Sequence, residues 1–201
     1  MSATRLLVLG VVRMHGRAHG YRVGRELLSW GTEQWANVKW GSIYHALKQL
    51  TKEGKLSATA EPGDSAPART VYELTEDGEA EFMRLLRDAL GSADHRPDVL
   101  GAGLTLLPAL TRREAVRLLR RRLAELEAAL DRLSALLERP GLSGAPAHVR
   151  ELHGLWVDTT QGGAAWTRRL IERLEAGTYV MAGEAGATFG APAEVPDAGV
   201  D

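Results

Sequence analysis

Apolar positions recur with a helical period over most of this chain and with a period of two in one short stretch, and the switch between them organises it. Leu6 to Val12 is an almost unbroken apolar run, which predicts a buried helix over residues 4–14. Gly16 to Gly20 reads as a turn. Residues 20–29 read as a second helix, with Tyr21, Gly24 and Leu28 on one side, Val23 and Leu27 beside them, and Trp30-Gly31 at its end. After a loop, Ile43, Ala46, Leu47 and Leu50 fall at i, i+3, i+4 and i+7 and mark a third helix. Gly41-Ser42 supplies its start and Gly54 its stop. The period then changes. Residues 56–60 and 69–74 are strand-like, Tyr72 and Leu74 share a face, and the polar segment Glu61 to Ala68 between them is turn-forming. Three helices followed by a β-hairpin is the order of a winged helix-turn-helix.

Helical spacing returns at Thr75, which caps a helix whose buried stripe is Phe82, Leu85, Leu86 and Ala89. Glu76, Asp77 and Glu79 suit the positive end of its dipole. A shorter helix is predicted over 94–107, ending before Pro108. Thr111 to Glu114 is a capping box that opens a long helix over 112–138. Val116, Leu119, Leu123, Leu126, Leu130, Leu133 and Leu137 keep alternating steps of three and four, a heptad seam. Arg139-Pro140-Gly141 stops it. A last helix is expected over about 146–176, with Pro146 in its first turn, and Val149, Leu152, Trp156, Thr159, Gly163, Trp166 and Leu170 repeat the same steps. Two such seams joined by a Gly/Pro/Ser link predict an antiparallel pair. The fold class is therefore mainly α with a small β-hairpin: a winged helix-turn-helix over 1–90, a helical, coiled-coil-like dimerisation and effector domain over 94–176, and a disordered acidic tail over 177–201.

Net charge is only -1, but it is segregated: +4 over residues 1–74, -1 over 75–176 and -4 over 177–201. A basic N-terminal module suggests a polyanionic partner. The chain has no cysteine, which excludes disulfides, thiolate metal sites and cysteine nucleophiles and fits a reducing, cytoplasmic setting. No apolar run approaches the roughly 18 residues that span a membrane. The first apolar run lacks a small-residue cleavage site after it and reads as a buried helix rather than a signal peptide. There is no nucleophile elbow, phosphate loop, HExxH or convincing carboxylate pair, so the chain is not read as an enzyme and no cofactor is implied.

The third helix carries the candidate chemistry. Opposite its apolar stripe lie Tyr44, His45, Lys48, Gln49 and Lys52, with no carboxylate before Glu53. One apolar side and one basic, amide-bearing side is what a major groove accepts. At this point the residues resemble the PadR family of bacterial transcriptional regulators. The resemblance rests on Leu6 to Val12, on His19-Gly20-Tyr21, on Gly41-Ser42-Ile43-Tyr44 with Ala46-Leu47 and Glu53-Gly54, and on Arg69 to Gly78, together spanning about residues 4–90. Many family members have proline before Gly41 and after Tyr44. This chain has Trp40 and His45 there, so base preference does not carry over.

Geometry and resemblance together select Lys39, Ser42, Tyr44, His45, Lys48 and Gln49 from the helix and Arg69 from the wing as the DNA-binding set. Hydroxyls and ammoniums suit phosphates, Gln49 and His45 suit base edges, and Arg69 suits a minor groove. Trp156 and Trp166 flank Gly162-Gly163 on the last helix, with Asp158 as a polar handle. They either hold a flat aromatic effector or anchor a core or dimer interface. His95 with Asp98, or His148 with His153, have poor metal-ligand spacing, and no metal is expected. The expected function is sequence-specific binding of double-stranded DNA by a homodimeric repressor. A small planar effector, which the resemblance implies, releases it from a palindromic operator. The alternative is a helical protein–protein interaction module that uses the winged domain as a docking platform.

Overall fold

The computed structural model describes residues 2–61, 69–94, 96–137, 147–187 and 189. The hairpin tip, His95, the Arg139-Pro140-Gly141 stop, Pro146 and the end of the acidic tail lie outside the described residues. The elements are α1 (Ala3–His15), β1 (Arg17–His19), α2 (Gly20–Ser29), α3 (Thr32–Ala36), α4 (Trp40–Lys52), β2 (Leu56–Glu61), β3 (Arg69–Leu74), α5 (Glu76–Gly91), α6 (Pro97–Thr105), a 3-10 turn (Leu107–Ala109), α7 (Arg112–Leu137) and α8 (Ala147–Glu175). The protein is mainly helical with one small antiparallel sheet, in winged-helix order.

Two features of the N-terminal half go beyond the sequence pattern. Arg17 to His19 forms a strand that pairs with β3, so the sheet has three strands in the order β1-β3-β2. Ala18 faces Tyr72 on one edge and Ala58 faces Tyr72 on the other. The expected loop after Trp30 contains α3, bounded by two left-handed residues, Gly31 at φ 69° and Asn37 at φ 51°. Four helices therefore precede the hairpin, and the helix expected third is α4.

The chain divides into two compact units. The first comprises residues 1–89, 96–111 and 180–201. Its centre is α1, where Leu6 to Val12 are buried on every side. Ile43, Leu47 and Leu50 of α4 are fully buried too, while Ala46 on the expected stripe is half-buried. Arg13 and Arg5 of α1 bridge to Glu79 and Glu81 of α5 at 2.9 and 3.1 Å. Helix α6, grouped by sequence with residues 94–176, packs in this unit. Leu106 lies so near Gly10 that a Cβ there would sit 2.6 Å from it. The acidic tail also contributes: Met181 is fully buried, and the Ala182 N–H donates to the carbonyls of Pro108 and Leu110.

His15, on the last turn of α1, is a half-buried ionisable group of this unit. Its Nε2 is buried without a hydrogen-bond partner, 3.6 Å from Glu26, too long for a hydrogen bond. Burial lowers its pKa, the Arg22 charge lowers it further, and Glu26 partly opposes them. A histidine with a lowered folded-state pKa favours unfolding when protonated. Its stability contribution is full above its unfolded value, about 6.5, and falls as pH drops toward the folded value. The melting temperature is expected to fall on acidification through that window, and His15→Asn to remove that part of the fall. Identical pH profiles for both proteins would reject the assignment.

The second unit, residues 90–95 and 112–179, is the α7–α8 hairpin with the end of α5. Arg120 with Glu175 and Arg168 with Glu127, each at 2.6 Å, fix the antiparallel register. On α7, Val116, Leu119 and Leu126 are buried as the heptad predicts. On α8 the seam is shifted. The buried positions are Thr160, Ala164, Thr167, Leu170, Ile171 and Leu174, whereas Leu152, Trp156 and Thr159 are exposed. The threonines can be buried because their hydroxyls donate to the carbonyls of Trp156 and Gly163 one turn back, both at 2.7 Å. Arg122 is buried and donates to the Ser92 carbonyl, capping the end of α5. Arg112 donates to the carbonyls of Leu174 and Tyr179, so the two ends of this unit are pinned together.

Candidate nucleic-acid interface

Helix α4 presents the expected face. Lys39, Tyr44, His45, Lys48 and Gln49 are all exposed on it. Two members of the set already have intramolecular partners. The Ser42 hydroxyl accepts from the Lys39 N–H at 2.9 Å and donates to the Lys39 carbonyl at 2.7 Å, so from the third helical position it ties back to the N-cap residue and secures the start of α4. Gln49 donates to Glu53 at 2.7 Å. Glu53 in turn pairs with Arg5 at 2.6 Å, and the hydrogen bonds from Gln49 and Arg5 hold its carboxyl below the usual range. The bond to Glu53 occupies one N–H of the Gln49 amide.

The structure adds residues that periodicity within one helix does not show. Tyr21 of α2, Trp40 and Tyr44 stack in a row, with centroids 5.7 and 6.2 Å apart and planes within 12° and 24°. They are 56%, 38% and 44% exposed, so the row is a surface feature. It continues to His19, which also caps α2 by accepting the Arg22 N–H at 3.1 Å. Arg25 lies 6.0 Å over the Tyr21 ring. Trp40, which replaces the proline common in the resembling family, lies flat on Gly24. A Cβ there would fall 2.0 Å from its ring. Gly24→Ala is therefore expected to turn the indole out of the row at little cost in stability, under about 1 kcal/mol because the ring can swing into solvent. Any DNA affinity would fall by a few-fold. A gel shift beside a urea melt checks both, and equal affinity would show that the row does not shape the interface.

Wing strand β3 places Arg69 and Thr70 in solvent and buries Val71 and Tyr72. Burial pushes the Tyr72 phenol up, and the nearby Tyr44 adds to it. Between α2, α4 and β3 opens a hollow lined by Tyr21, Arg22, Arg25, Tyr44, Arg69 and Tyr72, among others. Arg22 and Arg25 are exposed cations of α2 that the sequence-derived set omits. The signal that could have found them is the His19-Gly20-Tyr21 turn, which aims this face of α2 toward α4.

The suggested effector residues lie in the other unit. Trp156 is exposed with its ring edge against His153 at 5.3 Å, Asp158 is exposed, and Trp166 is half-buried. Among the described residues the two indoles make no ring contact with each other. Asp98 pairs with Arg96 at 3.0 Å. Among the described residues no group of three or more His, Asp or Glu is placed to hold a metal, and no helix is long and apolar enough to cross a membrane.

The chain is similar to Bacillus subtilis PadR solved in complex with operator DNA, at 21% identity over 85% of this chain and 98% of that one, with a TM-score of 0.37. It is similar to smu.1604c from Streptococcus mutans UA159, at 23% identity over 89% and 99%, with a TM-score of 0.39. Bacillus subtilis PadR in complex with p-coumaric acid matches at 20% identity over 86% and 95%, with a TM-score of 0.35. No curated protein matches the chain. Residues 8–84, which hold α2, α4 and the wing, match the Transcriptional regulator PadR-like family, and that stretch is a PadR-like domain.

Proposed function

We propose that the protein is a sequence-specific DNA-binding transcriptional regulator, a homodimer that represses from a palindromic operator and is released by a small planar effector. The observation that carries the reading is the exposed row of Tyr44, His45, Lys48 and Gln49 on a helix whose other side is buried, in a PadR-like domain. Lys39, Lys48 and Arg69, with Arg22 and Arg25, supply phosphate contacts. His45 and Gln49 read base edges. Ser42 serves by holding the start of α4. The second unit supplies the dimer face: Leu152, Leu155 and Trp156 form an exposed apolar patch on α8, which favours an interface. Trp156, Asp158 and Trp166 are the effector candidates in that reading. A cytoplasmic setting follows from the function.

The test is a gel shift of the full chain on its own upstream DNA with excess unrelated competitor, alongside light scattering for mass. A discrete, competitor-resistant complex from a dimer supports the reading. Binding that competitor abolishes would leave a non-specific DNA binder. A folded chain that shifts no DNA at low salt would instead favour a protein-docking module.

A further inference from the structure

The hollow between α2 and β3 holds chemistry that duplex DNA would leave half used. It encloses about 990 Å³, at the upper end of the range for small-ligand sites, roughly 300–1,000 Å³. Arg22, Arg25 and Arg69 line it, and among the described residues none of the three forms an ion pair with a carboxylate. The one acid in its lining, Glu26, lies 3.6 Å from His15. Arg17, on the neighbouring strand, is instead paired twice, with Glu61 and Glu73. The remaining walls include the phenols of Tyr21, Tyr44 and Tyr72.

Guanidiniums match phosphate in a bidentate fork, and three of them exceed what one carboxylate would neutralise. Tyr44, 44% exposed at the end of the aromatic row, offers a phenol ring on which a flat ring can stack. A duplex strand crossing the hollow could satisfy the arginines, but its paired bases show a protein only their edges. A molecule that offers phosphate and an unpaired ring together uses both halves of the site. We propose that this hollow binds a free nucleotide, with its phosphates on Arg22, Arg25 and Arg69 and its base against Tyr44, which ends the aromatic row beside Trp40. Nucleotide and DNA then exclude one another, because Tyr44 and Arg69 belong to both sites. The inference rests on the DNA-binding reading of the same surface, and linkage requires each ligand to weaken the other equally.

The test is calorimetric titration of the full chain with ATP, GTP, CTP and UTP in magnesium-free buffer, beside adenosine and tripolyphosphate, and the same additions to a gel shift. At least one nucleotide is expected to bind, with adenosine and tripolyphosphate each about tenfold weaker or more. That nucleotide should release DNA competitively. Arg25→Ala should weaken it about fivefold with the melting temperature unchanged. A chain that shifts DNA but binds none of the four nucleotides overturns the proposal and leaves the DNA reading standing. So does a nucleotide that binds without releasing DNA. Tripolyphosphate binding as tightly as any nucleotide would reduce the hollow to an anion patch. A folded chain that binds neither nucleotide nor DNA overturns both readings.

Discussion

Gly78→Ala is expected to destabilise the N-terminal unit by about 3 kcal/mol, at the upper end for overpacking. Gly78 lies in the first turn of α5, and a Cβ on it would sit 2.0 Å from the Lys55 carbonyl oxygen. That atom is backbone, so no rotamer change can relieve the clash. The contact is part of a knot. The Thr75 hydroxyl accepts the Gly78 N–H at 3.0 Å and donates to the Gly54 carbonyl at 2.7 Å, and the Thr75 N–H reaches the Lys55 carbonyl at 3.2 Å. These bonds join the end of α4, the start of β2 and the start of α5. Moving α5 away from Lys55 must loosen all three. Urea denaturation followed by circular dichroism checks the size of the effect. A loss under about 1 kcal/mol, within the range of ordinary surface changes, would mean that the junction adapts.

Lys48→Ala is expected to lower DNA affinity about tenfold and to flatten the salt dependence by about one charge. Lys48 is exposed midway along α4, between His45 and Gln49 on the face opposite Leu47 and Leu50. No ion pair in the protein competes for it among the described residues. Removing it deletes one released counterion and leaves the buried stripe intact, so the melting temperature should not move. Binding measured over a salt series separates this from a folding defect. An unchanged slope would place Lys48 off the phosphate backbone.

The winged order was legible because α4 and the hairpin switch period within a few residues, and a buried leucine stripe cannot be mistaken for a strand. Strand β1 was not legible: three residues, Arg17-Ala18-His19, carry no alternation, and only pairing with β3 makes them a strand. Helix α3 has five residues and is defined by backbone turns at Gly31 and Asn37, which apolar counting does not register. The α8 seam was misread for a chemical reason. Thr160 and Thr167 look polar but satisfy their hydroxyls on their own helix, while Trp156 looks apolar but stays in solvent. On the candidate site, residues of α4 could be read from their own helix. The aromatic row and the two arginines of α2 depend on a neighbouring helix, and spacing along one segment says nothing about that.

The return of the chain to the first unit at residue 180 has a consequence for biosynthesis. Met181 fills a fully buried position in a core otherwise built from residues before 112, and the α7–α8 hairpin is spliced between them. On the ribosome, the helices of the candidate interface would emerge long before this methionine. The nascent first unit must wait with an open apolar hole while the whole hairpin is synthesised, a delay that long-range closure imposes on folding. A chain cut short before Met181 would carry every residue of the candidate interface and still lack its last core side chain.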